Sequence, residues 1–290
     1  MARTFCAAVL AVVMATACDP SGQSSTPLPP PSPPTAALAA WKGFPASATQ
    51  RPIIWFGEHY EHVNGFSTND GKIAWLCGRF VLGPGIQLST TGWARATVSW
   101  PSGAHGSYES IGSQQAFASM LANRPNGGGS QCSTAASEVI TDVRWGTAGF
   151  STDRGTAQMS AWLFEVGAVS GELGYPALDP SAYWGGRKTT SGGGIGGRIS
   201  SDGLTLTIGV VGGPDTPGPC GEDFSASAAE SDTAVAIAIA SRIHGGPNVV
   251  CTLEGHFRTV TVRLGKPLDG RVVVDAQGNV GSVCPETGDC

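Results

Sequence analysis

Charged residues are scarce in this chain of 290 residues, and lysine is the scarcest of them. Only 13% of the residues are charged, and the complete set of lysines is Lys42, Lys72, Lys188 and Lys266. No stretch collects the basic side chains that would neutralise a phosphate backbone. The sequence therefore predicts that nucleic acid is not a partner.

Long apolar runs are also missing, except at the N-terminus. Arg3 precedes an apolar run, Phe5 to Ala17, that ends in small residues, which is typical of a secretory signal. The run is too short to cross a bilayer as a helix. Cys18 follows at once, so residues 1–17 are predicted to be a lipoprotein signal peptide and Cys18 the lipidated N-terminus. Ala15 departs from the usual leucine, and an ordinary signal cleaved near Ala17 is the alternative.

Residues 18–40 are predicted to form the lipid anchor and a stalk. The stretch from Ser21 to Ala40 carries no charge and contains a proline-rich run. Such a composition cannot bury much apolar surface and favours an extended polyproline conformation. A proline-rich ligand is the alternative. With its acyl chains buried in lipid, the mature protein is expected on the extracytoplasmic face of a cell membrane. It would keep 16 basic and 22 acidic residues, a net charge of -6.

Closely spaced cysteine pairs, which zinc sites require, are absent, and this favours disulfides. Cys6 leaves with the signal and Cys18 takes the lipid, so an even number remains in an exported chain. Cys220 and Cys251 bracket a predicted hairpin and are expected to pair. Local pairing of Cys284 with Cys290 then leaves Cys77 for Cys132, by elimination.

Helical patterns are scarce, and Ser110 to Asn123 is the best one. Elsewhere apolar residues alternate with polar ones between turns. Hairpins are predicted from Val139 to Val166 and from Phe224 to Ile239. The remaining predicted strands include Ile53–Phe56, Ile73–Leu76, Ala94–Trp100, Leu204–Ile208, Val260–Leu264 and Val272–Val274. The expected fold class is all-β or β-rich with one short helix: an antiparallel sandwich or barrel-like meander stapled by disulfides.

The glycine-rich run from Lys188 to Gly197 is the one candidate boundary inside the folded part. It divides an N-terminal β-rich region, residues 41–187, from a C-terminal antiparallel region, residues 188–290. One continuous domain over residues 41–290 fits the sequence equally well.

The order of four segments carries a family resemblance. They are STDRGTAQMSAWLFEV (151–166), DGLTLTI (202–208), SASAAESDTAVAI (225–237) and VTVRLGKPLDGRVVVDA (260–276). In this order, with cysteines between them, the chain resembles uncharacterised secreted lipoproteins of high-GC actinobacteria. The resemblance implies export, anchoring and a shared fold, and it implies no activity, catalytic set or ligand.

The densest cluster of ionisable residues is Glu58, His59, Glu61 and His62. An extended strand would place His59 and Glu61 on one face and the other two on the opposite face. A metal needs three or four converging ligands, so a solvated strand end or loop is preferred to a metal site. No metal and no cofactor are predicted.

Signatures of catalysis and nucleotide binding are lacking. Gly192, Gly194 and Gly197 match a dinucleotide fingerprint in spacing, but a hairpin rather than a βαβ unit is predicted after them. No Gly-x-Ser-x-Gly elbow or Ser-x-x-Lys signature is present. The isolated histidines His105, His244 and His256 are interpreted as structural or solvated, although a triad assembled from distant loops remains open.

A predicted loop contains three aromatic residues, Tyr175, Tyr183 and Trp184, together with proline and glycine. Aromatic faces on loops can bind sugar rings or apolar partners. The alternative, which is preferred, is that the rings pack onto the sheet as a hydrophobic lid.

The sequence leaves two candidate functions open. The first is a non-catalytic binding or structural protein of the envelope, with a glycan or another envelope protein as its partner. The second is an extracellular hydrolase acting on a cell-wall or polymeric substrate, with its site assembled from distant loops. A cleft with two carboxylates, or a histidine paired with an acid, would favour the hydrolase.

Overall fold

β-Strands are the main secondary structure in the described part of the chain. A computed structural model describes residues 27–57, 60–122, 130–167, 169–186, 195–245 and 248–287. Within these ranges the strands form three sheets, and the helices are short. The β-rich fold class predicted from the sequence is thereby confirmed. None of the helices in the described ranges has the length and apolar character needed to cross a membrane.

The N-terminal half forms a seven-stranded sheet. Its strands are β1 (Tyr60–Phe66), β2 (Phe80–Leu82), β3 (Ala96–Ser99), β4 (His105–Tyr108), β5 (Glu138–Thr152), β6 (Gly155–Val166) and β7 (Val169–Pro176). Strand β6 pairs with β5 along one edge, while β3 and β7 share its other edge. Both faces of the sheet carry apolar clusters, which explains why β6 is buried almost throughout.

The predicted hairpin from Val139 to Val166 is confirmed as β5 and β6. Its turn depends on Gly155, whose φ of +88° is a conformation that glycine adopts without strain. The Thr152 hydroxyl donates to the Gly155 carbonyl oxygen at 2.7 Å and accepts from the Arg154 amide. The turn is therefore held by its own backbone and side chains.

Three α-helices flank this sheet: α1 (Asn69–Leu76), α2 (Ser113–Ala122) and α3 (Ser130–Thr134). Helix α2 lies inside the range predicted to be helical. The prediction of a strand at Ile73–Leu76 was wrong, because Thr68 caps a helix by accepting a hydrogen bond from the Gly71 amide. Four residues are too few to distinguish a buried helix from a strand by periodicity alone.

The C-terminal half forms two smaller sheets that pack face to face. Their strands are β8 (Gly196–Ile199), β9 (Thr205–Gly212), β10 (Glu222–Glu230), β11 (Ala234–Ile243), β12 (His256–Arg263), β13 (Val272–Asp275) and β14 (Ser282–Pro285). One sheet has the order β10-β11-β13 and the other β12-β9-β8-β14. Apolar side chains of both sheets, including Ile208, Ile237 and Val262, fill the space between them. This half is a sandwich.

The predicted meander within this half was partly wrong. The β10–β11 hairpin is confirmed, with Ala226 opposite Ile239. Strands β12 and β13 are not neighbours, however, because β12 pairs with β9 and β13 runs parallel to β11. The chain between them changes sheets, and buried Leu268 anchors it through a hydrogen bond from its amide to the Gly203 carbonyl oxygen. Alternation shows which face of a strand is buried and not which strand lies beside it.

Each half contains a disulfide that joins residues far apart in the sequence. Cys77 bonds to Cys132 and Cys220 to Cys251, with Cα–Cα distances of 5.4 and 5.6 Å, and both pairs are those predicted. Cys284 is also disulfide-bonded. Its predicted partner, Cys290, lies outside the described residues.

The described part of the predicted stalk lies against the folded domain. Residues Thr35–Trp41 form a 3₁₀ helix, and Leu38 and Trp41 pack on the outer face of the β10-β11-β13 sheet. Further back, the Ser225 hydroxyl donates to the Pro29 carbonyl oxygen at 2.9 Å. This corrects the expectation of a separate spacer over residues 27–40. The segment is uncharged, and its small apolar side chains can cover a sheet face.

Candidate functional site

A buried ion pair lies where the N-terminal and C-terminal halves meet. The Arg51 guanidinium donates to Asp153 Oδ2 at 2.5 Å and to the Gly270 carbonyl oxygen at 2.6 Å. Arg51 precedes the seven-stranded sheet, Asp153 forms the β5–β6 turn, and Gly270 lies in the connection between β12 and β13. The Val283 amide on β14 also donates to the Asp153 carbonyl oxygen. The contacts hold together residues on both sides of the predicted boundary at 188–197.

Arg154 extends this junction towards an aromatic ring. Its guanidinium carbon lies 3.8 Å from the centroid of the Trp100 ring, a cation–π contact. Burial lowers the pKa of Arg154 to about 10, although nearby Asp153 opposes the change. Arg154 thus stays charged at neutral pH. Because its charged residues are buried and paired with one another, we interpret this junction as structural.

A polar cleft opens beside the junction. It encloses about 310 Å³, and its walls come from three places: the segment before the first strand, the β3–β4 hairpin and the 3₁₀ helix Pro180–Ala182. The lining residues are Gln50, Pro52, Arg95, Ser107, Tyr108, Glu109, Asp179, Ser181 and Ala182. These positions span more than 130 residues of sequence, so only the fold brings them together.

Hydrogen bonds fix the polar side chains at the edge of the cleft. The Gln50 amide donates to the Ser107 carbonyl oxygen at 3.1 Å. Arg95 donates to the Ser107 hydroxyl at 3.0 Å, to its carbonyl oxygen at 3.1 Å, and to the carboxylate of Glu109. The Arg95 and Glu109 side chains are nevertheless mostly exposed. They therefore retain hydrogen-bonding capacity towards a ligand from solvent.

Asp179 is the second carboxylate of the cleft. Its Oδ1 accepts a hydrogen bond from the Ser181 amide at 2.9 Å, which caps the 3₁₀ helix. Hydrogen bonds from the side chain and backbone of Ser181 lower the pKa of Asp179. Its amide donates to the Glu109 carbonyl oxygen at 2.8 Å, which ties the two acidic residues together. The cleft thus presents an ionised carboxylate whose position is set by its own helix.

The three predicted aromatic residues pack inward. Tyr175 lies on β7, and its ring centroid is 5.3 Å from that of Trp55. Tyr183 has a buried hydroxyl, and burial raises the pKa of that hydroxyl well above its ordinary value. Trp184 makes an edge-to-face contact with Phe44, at 5.1 Å between ring centroids. The geometry matches the hydrophobic-lid alternative rather than an exposed binding loop.

Only part of the histidine and acid cluster near residue 60 lies in the described ranges. Glu58 and His59 lie outside the described residues. Glu61 and His62 belong to β1, where they pair with Leu173 and Glu172 of β7. In the ranges that the structure describes, no group of three or more histidine, cysteine, aspartate or glutamate residues is placed to hold a metal ion.

Sequence reasoning missed a pair at the end of the β10–β11 hairpin. His244 Nε2 lies 2.9 Å from Asp223 Oδ1, and Arg242 donates to Asp223 Oδ2 at 2.7 Å. The hydrogen bonds from Arg242 and then His244 lower the pKa of Asp223. Extending the predicted hairpin register by a few residues would have placed Arg242 opposite Asp223.

The other isolated candidates are on strands. His105 begins β4, on an exposed position, and His256 begins β12. Gly197 lies in β8, which is followed by the antiparallel strand β9, as the hairpin interpretation predicted. Gly192 and Gly194 lie outside the described residues.

Fold and cleft together define a disulfide-bonded, β-rich protein with a polar, partly charged surface cleft. Comparison of the chain with protein-family models, curated proteins and solved structures finds no match. The resemblance to secreted actinobacterial lipoproteins stays a prediction.

Proposed function

We propose that this chain is a membrane-anchored extracytoplasmic lipoprotein whose cleft binds an envelope glycan without cleaving it. The cleft carries the proposal, because a carboxylate, a guanidinium, an amide and hydroxyl groups face one space. A polyhydroxylated ligand needs such a mixture of donors and acceptors.

The proposed anchor rests on the N-terminal sequence. Arg3, the apolar run Phe5 to Ala17 and Cys18 follow one another in the order that lipoprotein export requires. Disulfides at Cys77–Cys132 and Cys220–Cys251 support this proposal, since such bonds persist in oxidising compartments outside the cytoplasm.

Electrostatics support binding over catalysis. A general acid that works near neutral pH needs a raised pKa. Every carboxyl group of the described ranges with a resolved shift has a lowered pKa. These groups are Asp179, Asp202, Asp223, Glu230 and Asp232. Ionised carboxylates accept hydrogen bonds from sugar hydroxyls, which is what a binding site needs.

The second candidate function is a hydrolase, and two observations favour it: the pair of His244 with Asp223, which does not line the cleft, and the carboxylates that do. Glu109 and Asp179 line the same cleft, and paired carboxylates perform the hydrolysis of glycosidic bonds. Such an enzyme would need one of the two to be protonated when the substrate is bound. The lowered pKa of Asp179 would leave the acid role to Glu109.

A binding assay with product analysis separates the two candidates. The purified protein is titrated with solubilised peptidoglycan fragments in a calorimeter, and the fragments are afterwards analysed by mass spectrometry. We expect binding that Asp179→Asn weakens about tenfold, because a hydrogen bond to a charged group contributes about 1.5–3 kcal/mol. Asp202→Asn is the matched control, since Asp202 also caps a turn and does not line the cleft.

Each outcome has a defined meaning. Unchanged fragments with Asp179-dependent binding support the binding protein. Shortened fragments whose formation stops in Glu109→Gln would establish the hydrolase instead. Equal affinity in the Asp179→Asn and Asp202→Asn variants would contradict the cleft as the binding site.

A further inference from the structure

One end of the C-terminal sandwich exposes apolar side chains that have no cover in the described ranges. We define this apolar tip as Val211, Ile243, Val250, Leu253 and Phe257. Val250 is 95% exposed and Phe257 is 89% exposed. Single exposed apolar residues are ordinary, but a group of them marks a surface that meets a protein or a membrane.

Two strand pairings and one hydrogen bond place the strand residues of the tip at the same end. Phe257 on β12 lies opposite Val211 on β9. The neighbouring Arg258 donates to the Glu222 carbonyl oxygen at 3.1 Å, which brings β12 beside the start of β10. Ile243 is paired with Glu222 in the hairpin register.

The loop that carries Val250 and Leu253 is fastened at this end as well. The Cys220–Cys251 disulfide ties it to the residue two positions before β10. The tip is thus formed by strand ends of both sheets and by a cross-linked loop.

The N-terminal segment runs towards the apolar tip. Trp41 packs in a cluster with Ala229 and Ala236 of the β10–β11 hairpin. Nearer the N-terminus, the Pro29 carbonyl oxygen accepts a hydrogen bond from Ser225, which lies four residues before Ala229 on β10. Ser225 is three residues from the start of β10, or about 10 Å at the usual rise of a strand. From Trp41 back to Pro29, the described segment therefore runs towards the end that carries the tip.

Chain length then limits how far the tip can be from the anchor. Residue 27, where the described chain begins, is nine positions after Cys18. Nine fully extended steps reach about 30 Å. A lipid on Cys18 must lie in the bilayer, so the tip end of the domain has to stay near the membrane surface.

We propose that the apolar tip rests on the lipid surface of the membrane in which Cys18 is anchored, so that the domain is held in a fixed orientation. The inference depends on the lipid anchor of the proposed function. The arginines at the tip are paired, Arg242 with Asp223 and Arg258 with Asp215. Apolar contact rather than attraction to anionic headgroups is thus the main interaction, and added salt should leave it unchanged.

Depth-dependent fluorescence tests the contact in the full lipidated protein. The protein is reconstituted in vesicles of phosphatidylethanolamine and phosphatidylglycerol, with and without brominated acyl chains. Phe257→Trp and Leu253→Trp each add one indole at the tip, and the parent protein provides the background to subtract. Leu76→Trp is the matched control, because Leu76 is also well exposed but lies on α1 beside the seven-stranded sheet.

We expect brominated lipid to reduce the added fluorescence of both tip variants about twofold, as for a side chain at the headgroup–acyl boundary. The control indole should keep its full intensity. High salt should change neither result.

Flotation of the same vesicles distinguishes failure of this inference from failure of the anchor. Vesicles that retain the protein while the tip indoles stay unquenched would overturn the tip contact and leave the anchor intact. Protein that does not float with the vesicles would overturn the anchor itself. Concentration-dependent dimers that disappear in Phe257→Asp, with unquenched tip indoles, would assign the tip to a second copy instead.

Discussion

Of the ion pairs between described residues, Arg51 and Asp153 form the most deeply buried one, at 6% and 2% exposed. Both charges have left water, and each depends on the other for compensation. Among the described residues, Asp153 Oδ1 has no hydrogen-bond partner, and its nearest cation is Arg154, whose Nε lies 4.0 Å away. The pair therefore makes the junction sensitive to single substitutions.

We expect Arg51→Met to lower the free energy of unfolding by about 3–5 kcal/mol, because it leaves the buried Asp153 carboxylate with only the long contact to Arg154, at 4.0 Å. Chemical denaturation followed by circular dichroism measures this loss. Arg95→Met is the control, since the Arg95–Glu109 pair is mostly exposed and such pairs contribute about 1 kcal/mol or less. Equal losses in the two variants would contradict a special role for the junction.

Trp184 gives a second test at the scale of one side chain. Its ring packs against Phe44 and the cluster on the outer face of the β10-β11-β13 sheet. We expect Trp184→Ala to cost about 2–3 kcal/mol of stability, less than the 3–5 kcal/mol of a fully buried ring, with glycan affinity unchanged. Trp93→Ala should cost little, because Trp93 is 75% exposed. A stable Trp184→Ala variant that has lost glycan binding would restore the binding-loop interpretation.

Among the structural elements, the crossover from β12 to β13 is held by Glu230 at the end of β10. The Arg271 guanidinium donates to Glu230 at 2.7 Å, and the Gly265 amide donates to its other oxygen. Burial by itself would raise the pKa of Glu230, but these hydrogen bonds and the Arg271 charge outweigh it and lower the pKa. The carboxylate thus links the β10–β11 hairpin to the chain that changes sheets.

This link makes stability depend on pH in the acid range. Because the folded pKa of Glu230 is below its ordinary value of 4.5, the unfolded chain binds a proton more readily. The stabilising contribution is therefore complete above pH 4.5 and is lost as pH falls through the lower folded pKa. Glu230→Gln should reduce stability at neutral pH and flatten this part of the pH profile, as measured by thermal unfolding.

Glu254→Gln is the control for that profile, because it also removes one negative charge but lies on an exposed loop. An acid-range profile that Glu230→Gln leaves as steep as in the parent would contradict the assignment. So would the same flattening in both variants.

Local patterns predicted some of these elements and not their arrangement. The β5–β6 and β10–β11 hairpins were predictable because their strands are adjacent in sequence and their turns carry recognisable residues. Helix α1 was missed since Ala74 and Trp75 are buried by tertiary contacts that a four-residue pattern does not encode. The neighbours of β12 and β13 depend on a crossover whose anchor, Leu268, looks like an ordinary turn residue.

The candidate cleft was less predictable than the fold. Arg95, Glu109 and Asp179 have no motif around them, and each stands alone in its own stretch of sequence. Tyr175 and Trp184 attracted attention because aromatic residues near glycine and proline are conspicuous, yet their rings complete the core. A site made from several loops becomes visible only when the loops are placed in space.

At the scale of the whole molecule, the N-terminal segment packs against both halves and connects them to the proposed anchor. Residues 35–41 cover a sheet of the C-terminal half, while Ile53 and Trp55 enter the core of the seven-stranded sheet. The segment therefore contributes to both halves before the first strand begins. An anchor placed only nine residues before residue 27 would fix the orientation of both halves together.

The proposed anchor predicts different outcomes for the two cysteines at the N-terminus. Cys18→Ser should abolish incorporation of labelled fatty acid and shift the processed protein from the membrane fraction, because the acyl chains contribute about 0.8 kcal/mol for each buried CH₂. Cys6→Ser is the matched control, since Cys6 lies in the apolar run of the predicted signal and is removed with it. We expect this variant to be labelled and retained like the parent.

Fatty-acid labelling that survives in the Cys18→Ser protein would refute lipidation at Cys18. Contact of the apolar tip with lipid cannot produce that result, because labelling reports a covalent bond.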